Sequence, residues 1–347
     1  NLVKSMYKWT NSHTFKNSLT YVDYKVYFCN LFLYFRIDLK KSIFILTFIL
    51  VGLTNFISAQ SDALYSQYMF NQFTINPAYA GSRDALSSVL LYRSQWTGLE
   101  DAPKTVNVSA HSPFHRKNMA LGVNFMMDEL GPSKIQSVQG TYAYHIKTNF
   151  GDFSMGVRSG IISVRNNQNE LNFYNDQLYG NNTMVNTIIP NVDFGLYFFT
   201  DLFYAGASAS HLLEDNFTLN NNQQDSLMSF ELQRYFNLAS GGVYEINKNI
   251  LFKPSFMVKF SPLNPINFDI NSSILFKKVL WVGFSYRSTK NLICLFELNI
   301  TDQLRFGYSY DYDFSAVRTI SSGSHEVFIG FDQLMNKKTP NVSPRFF

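Results

Sequence analysis

From about residue 86 to residue 334, apolar and polar residues alternate with a period of two. Successive side chains of a strand point to opposite faces, so this alternation gives each strand one apolar and one wet face. In 304–312, Leu304, Phe306, Tyr308, Tyr310 and Tyr312 share one face, with Arg305, Gly307, Ser309 and Asp311 opposite. In 292–300, Leu292, Cys294, Phe296, Leu298 and Ile300 oppose Glu297 and Asn299. The same pattern sets Val138, Tyr142, Tyr144 and Ile146 against Gln139, Thr141, His145 and Lys147, and Val192, Phe194, Leu196 and Phe198 against Asp193, Gly195 and Tyr197. About 14 such runs can be marked, each near the roughly ten residues that a tilted membrane-spanning strand needs. They begin near Leu86, Lys104, Met119, Ile135, Asp152, Ile188, Leu202, Tyr235, Ile250, Ile266, Val279, Leu292, Gln303 and Ser324.

The connections between runs alternate in character. Tight ones fall at 115–118, 148–151, 200–201, 247–249, 277–278 and 301–302. The long polar ones, 166–186, 214–229 and 313–323, all fall on the other parity. An even strand number with short turns at one end and long loops at the other is the layout of an outer-membrane barrel. A soluble β-sandwich has no reason to sort its loops in this way. The fold expected is therefore all-β: a transmembrane antiparallel β-barrel of about 14 strands over 86–334.

Composition agrees. The chain is 46% hydrophobic and 17% aromatic but only 16% charged, with 34 Phe and 21 Tyr. Soluble domains carry about a quarter charged residues. Yet mean hydropathy is −0.09, which excludes a helical membrane protein. The net charge of +4 is small and scattered, so no nucleic-acid face is expected. Two cysteines, Cys29 and Cys294, give no disulfide framework and no thiol metal site.

Ahead of the strands, Lys40 and Lys41 are followed by an apolar run over 43–53 and a short region ending near Ala59. That is the grammar of a Sec-type signal peptide over 40–59. The rival is an anchor helix, but the run is short for one and no stop-transfer charges follow. On this reading 1–39 is sequence upstream of the true translation start. The segments that follow are 60–85, the strands of 86–334, and a basic tail over 335–347 that ends in an aromatic residue.

The stretch 65–81 has no period at all. Tyr65, Tyr68, Phe70, Phe73 and Tyr79 interleave with Gln67, Asn71, Gln72 and Asn76, and Asn76-Pro77 and Gly81 mark turns. Such a segment can bury rings while its amides bond irregular backbone. It precedes the first strand, so it is expected on the periplasmic side or entering the lumen from there.

Catalytic patterns are absent. His111 and His115 flank a Ser112-Pro113 break, and no Gly-x-Ser-x-Gly elbow or His/carboxylate metal spacing occurs. The histidines read as structural, and the chain as neither an enzyme nor a cofactor carrier. Gly241-Gly242, inside a strand pattern, reads as a bulge or a close packing point. Residues expected to line a lumen are His145, Arg158, Asp193, Glu297 and Glu326. They face either an open channel or one another in a plugged interior.

Three blocks resemble a known family. Tyr65-Ser-Gln-Tyr-Met-Phe-Asn71 with Asn76-Pro-Ala-Tyr-Ala-Gly-Ser82 is similar to the N-terminal signature of the PorP/SprF outer-membrane proteins of Bacteroidota type IX secretion and gliding machinery. Arg93-Ser-Gln-Trp96-Thr-Gly98, with Ala102-Pro103-Lys-Thr105 and Ser109-Ala-His111-Ser-Pro113, forms a second block; Ser324-His325-Glu326-Val327 forms a third. The resemblance spans about 60–347. It implies a non-enzymatic outer-membrane barrel that works with a periplasmic ring and lipoprotein in exporting or anchoring secreted adhesins, often those with a C-terminal sorting domain. It marks Tyr65, Gln67, Tyr68, Phe70, Asn71, Asn76, Pro77, Tyr79 and Gly81 as a partner-contact or plug element, with Arg93, Trp96 and Gly98 behind them. The alternative function is a porin for passive diffusion or uptake of small solutes, since the strands carry polar faces.

Overall fold

The computed structural model describes residues 64–114, 118–167, 184–213, 216–218, 229–262 and 264–334. The signal-peptide and translation-start expectations, the basic tail and most of the long loops over 166–186 and 214–229 lie outside these residues.

Seventeen strands follow in order: β1 (Ala85–Ser94), β2 (Lys104–Phe114), β3 (Met119–Leu130), β4 (Ser133–Thr148), β5 (Gly151–Asn167), β6 (Met184–Phe199), β7 (Phe203–Ser210), β8 (Asn216–Thr218), β9 (Ser229–Glu231), β10 (Tyr235–Gly242), β11 (Tyr244–Asn247), β12 (Ile250–Ser261), β13 (Asn264–Phe276), β14 (Leu280–Arg287), β15 (Asn291–Asn299), β16 (Leu304–Asp313) and β17 (Ser324–Leu334). Fourteen of them form one closed antiparallel barrel. Sequence neighbours pair throughout; β10 pairs with β12, and β17 returns to β1 in register from Ala85↔Leu334 to Ser94↔His325. Closure leaves no free edge around the ring, the condition for a sheet to sit in lipid. β11 continues past Val243 outside the ring and pairs with β12, while β8 and β9 form a separate two-stranded hairpin.

Apolar and polar faces take opposite sides of the wall. Leu121, Val123, Val138, Val157, Ile161, Ile270, Phe284 and Ile329 are exposed on the outside. Asn107, Ser109, Gln139, Ser154, Asn191, Ser273 and Ser309 are buried within. A soluble sandwich would reverse this arrangement. An outward apolar band over a polar interior is that of a barrel dissolved in lipid. No helix among the described residues is long and apolar enough to cross a membrane, so the crossing belongs to the strands.

The short turns collect at one end, where β1 begins and β17 finishes. Lys277 and Lys278, both at positive φ, make a two-residue hairpin turn there. The opposite end carries the long connections β1–β2, β5–β6, β7–β10 and β16–β17. It also carries short ones, β3–β4, β12–β13 and β14–β15, so length is segregated at one end only. These are called the turn end and the loop end below. β2 runs unbroken through Ser112 and Pro113, against the break expected from the sequence. Proline tolerates an extended backbone, and here it falls near the strand's end.

Candidate functional site

The lumen is filled by the chain's own residues 64–84. Gln67, Met69, Phe73, Ala78 and Ala80 have no solvent exposure, and Tyr68, Asn71, Gln72, Asn76 and Tyr79 are buried. The segment holds only two single-turn 3-10 helices, Gln72–Thr74 and Pro77–Tyr79. The second is capped by the Asn76 side chain, which accepts from the Ala78 amide at 2.9 Å, with Pro77 at the first helical position.

So little regular structure leaves the backbone groups to find partners elsewhere, and the wall supplies them. Arg287 donates to the Tyr65 carbonyl at 3.0 Å and Lys253 to that of Met69 at 3.1 Å. Arg158 forks across the carbonyls of Phe73 and Thr74 while its Nε donates to Thr141 Oγ1, and its guanidinium lies over the Phe73 ring. Ser208 donates to Ile75 at 2.6 Å and Ser154 to Ala78 at 2.7 Å. His145 Nε2 lies 2.8 Å from the Ala80 carbonyl and must donate, because a carbonyl only accepts. His111 Nδ1 accepts from the Gly81 amide at 3.1 Å.

The head of the segment meets a buried ionic cluster. One carboxylate, Glu326, accepts from the successive amides of Ser66 and Gln67, both at 2.9 Å. Arg93 binds Asp311 at 2.7 Å, Glu326 at 3.2 Å and the Ser66 hydroxyl at 2.7 Å. Ser66 in turn donates to Asp311 at 2.7 Å. Arg287 and Asp269 pair beside them at 2.9 Å. Charges this deep need partners of good geometry, and each has them here. At the foot, Arg83 joins Tyr79 and Asp332, and Arg305 bridges Asp332 and Glu297. Burial alone would lower the Arg83 pKa, but Tyr79 and Asp332 outweigh it and raise it above the ordinary value, so the guanidinium stays charged.

Glycines make room. A Cβ on Gly156 would stand 2.5 Å from Ala78 N, one on Gly195 2.1 Å from Asn76 Oδ1, and one on Gly122 2.6 Å from the Phe73 ring. Two apolar clusters complete the fit: Tyr68, Met69 and Phe70 against Trp281, Leu295 and Phe328, and Phe73 and Tyr79 against Ala120, Tyr197 and Tyr204.

Of the residues singled out from the sequence, Tyr65, Gln67, Tyr68, Phe70, Asn71, Asn76, Pro77, Tyr79 and Gly81 all lie along this one segment inside the barrel. Arg93 reaches it through Ser66. Trp96 and Gly98 do not; they sit at positive φ in the β1–β2 connection, where the Trp96 amide donates to Ser324. His145, Arg158, Asp193, Glu297 and Glu326 are all buried on the lumen side. His145, Arg158 and Glu326 touch the segment directly. Asp193 lies 3.9 Å from Arg158 and accepts from the His211 amide, and Glu297 pairs with Arg305.

Sequence reasoning missed Ser66, Lys253, Asp269, Arg287 and the glycines of β3, β5 and β6. For all but Ser66 the signal was present: charges and glycines on the polar phase of otherwise apolar runs, where a lipid-facing strand needs neither. The direction of the segment also differs. Its foot at Gly81 lies at the turn end, as expected, but its head at Tyr65 reaches the loop end. Gly241 does mark close packing, since a Cβ there would meet the Tyr204 ring at 2.7 Å. Among the described residues no group of three or more His, Cys, Asp or Glu is placed to hold a metal ion.

A family model described as type IX secretion system membrane protein PorP/SprF matches residues 57–331. Among solved structures, the CymD monoaromatic hydrocarbon channel is similar at 11% identity over 80% of this chain and 94% of its own, with a TM-score of 0.46. The Acinetobacter baumannii outer membrane protein Omp33 is similar at 8% identity over 72% of this chain and 98% of its own, with a TM-score of 0.41. No curated protein matches the chain.

Proposed function

Since the chain belongs to the PorP/SprF family of type IX secretion system membrane proteins, we propose that it is a non-enzymatic outer-membrane barrel supporting export or surface anchoring of secreted proteins such as large adhesins. The observation that carries this reading is the filled lumen. Residues 66–73 and 76–81 are buried inside the ring, with wall donors on the carbonyls of Tyr65, Met69, Phe73, Thr74, Ile75, Ala78 and Ala80. A barrel occupied in this way offers its partners surfaces rather than a diffusion path. Tyr65 to Gly81 act as the plug, and Arg93, Arg158, His145 and Glu326 as the side chains that seat it.

The partners in this reading are outer-membrane lipid, the periplasmic ring and lipoprotein of the secretion machinery, and a secreted adhesin or its C-terminal sorting domain. Nucleic acid is not among them. Deleting the gene is expected to abolish surface display of the cognate adhesin, read by antibody on intact cells; normal display would sink the proposal. In planar bilayers the purified barrel is expected to stay closed. A stable open channel without partners would favour the porin reading.

A further inference from the structure

The path of the plug through the barrel fixes which of its ends can be reached from which side of the membrane. Arg287 is the last residue of β14, Glu326 the third of β17, Arg93 the ninth of β1, and Asp311 lies two residues before the end of β16. All four therefore stand toward the loop end, and they hold Tyr65, Ser66 and Gln67. His145 near the end of β4, Ser154 near the start of β5, and Asp332 near the end of β17 stand toward the turn end. They hold Ala80, Ala78 and Arg83. The segment thus runs from the loop end to the turn end, and β1 then carries the chain back.

A cavity lies between the plug and the wall. Leu64, Tyr65 and Ile75 line it from the plug, and Ser210, Asn237 and Lys259, all loop-end positions of β7, β10 and β12, line it from the wall. Met69, Phe70 and Phe73 and the Arg83–Asp332–Arg305 bridge are buried in the lumen. In barrels of this kind the long loops face the outside and the short turns the periplasm.

We propose that the plug is threaded with Leu64 at the outer mouth of the barrel, so that its head faces the cell surface and its foot at Gly81 faces the periplasm. The inference concerns topology and holds whether or not the chain serves secretion. If it does serve secretion, a secreted protein arriving outside meets Leu64 and Tyr65 first, and a periplasmic partner meets the foot.

The test is cysteine labelling of the full-length protein in cells, in a Cys29→Ser, Cys294→Ser background, with a maleimide that cannot cross the outer membrane. Leu64→Cys is expected to label in intact cells, as does Thr319→Cys in the exposed β16–β17 connection. Asn249→Cys, in the exposed turn before β12, is expected to label only after the membrane is permeabilised. Should Leu64→Cys follow Asn249→Cys, the threading is reversed and the proposal falls. Should it label in neither state while both controls behave, the outer mouth is closed and the proposal falls as well. A heat-shifted band on a semi-native gel confirms that each variant has folded as a barrel. Loss of adhesin display in the deletion strain is a separate measurement and decides only the secretion reading.

Discussion

Replacing Gly156 with alanine adds one methyl group to the lumen face of β5. The new Cβ would lie 2.5 Å from Ala78 N and Pro77 C and 2.6 Å from Ala78 Cα, where ordinary contact begins at 3.4 Å. These are backbone atoms of the plug, so no side chain can swing aside. The 3-10 turn at Pro77–Tyr79 has to move by nearly an ångström, away from Ser154 and from its own Asn76 cap. Overpacking of this kind costs about 1–3 kcal/mol. At about 1.4 kcal/mol per factor of ten, the unseated plug should become roughly 5- to 140-fold more populated. The control is Gly140→Ala, in β4 of the same wall, where an added Cβ meets nothing within 4 Å. The assay is amide hydrogen exchange of the detergent-solubilised barrel, read by mass spectrometry on peptides covering 64–84. Gly156→Ala should exchange faster across 76–81 by that factor, with β4–β6 unchanged and Gly140→Ala matching the parent. Equal protection in all three proteins would refute a plug packed directly on Gly156.

Glu326→Gln should free the head of the plug, since the carboxylate on the Ser66 and Gln67 amides becomes a half-donor beside Arg93; breaking a buried pair costs about 3–5 kcal/mol. Exchange should rise at 66–70, with 78–81 keeping most of its protection. Arg158→Lys cannot span the Phe73 and Thr74 carbonyls and Thr141 at once, so a loss of about 1–3 kcal/mol is expected in urea unfolding from lipid vesicles. Val138→Arg, on the outer face in the middle of β4, should cost about 2–4 kcal/mol in vesicles. In a soluble protein this exposed position would tolerate the change, so a neutral result in lipid would argue against a membrane-facing wall.

The wall was legible because its physics is local. Every strand expected from period-two alternation is present, with starts moved by at most a few residues: Ile188 to Met184 in β6, or Ile266 to Asn264 in β13. Lipid outside and polar groups inside impose that period on each strand independently. The plug is a different case. Its shape is set by sockets on distant strands, and nothing within Tyr65–Gly81 records that Arg158 will fork over Phe73 or that Gly195 will leave space for Asn76. The blocks that resemble the PorP/SprF signature pointed at the right residues without showing where they sit. Glycines on the polar phase of β3, β5 and β6 were the unread half of the pattern, because one glycine in a strand is compatible with many neighbours. The short loop-end turns β3–β4, β12–β13 and β14–β15 were also hidden, since loop length at that end is free of any constraint from the membrane.

The bond from Ser66 to Glu326 joins residues 260 positions apart, and that from Gln67 to the same carboxylate spans 259. The head of the plug therefore gains its last anchor only with the last strand. Contacts so remote in sequence form late, after their loop-closure entropy has been met. In assembly, the arrival of β17 both closes the wall against β1 and completes the anchorage of the plug's head. Closure of the wall and the final anchoring of the plug's head are then one event. A chain truncated before β17 would lose not a single strand but the closed wall and the carboxylate that holds the Ser66 and Gln67 amides.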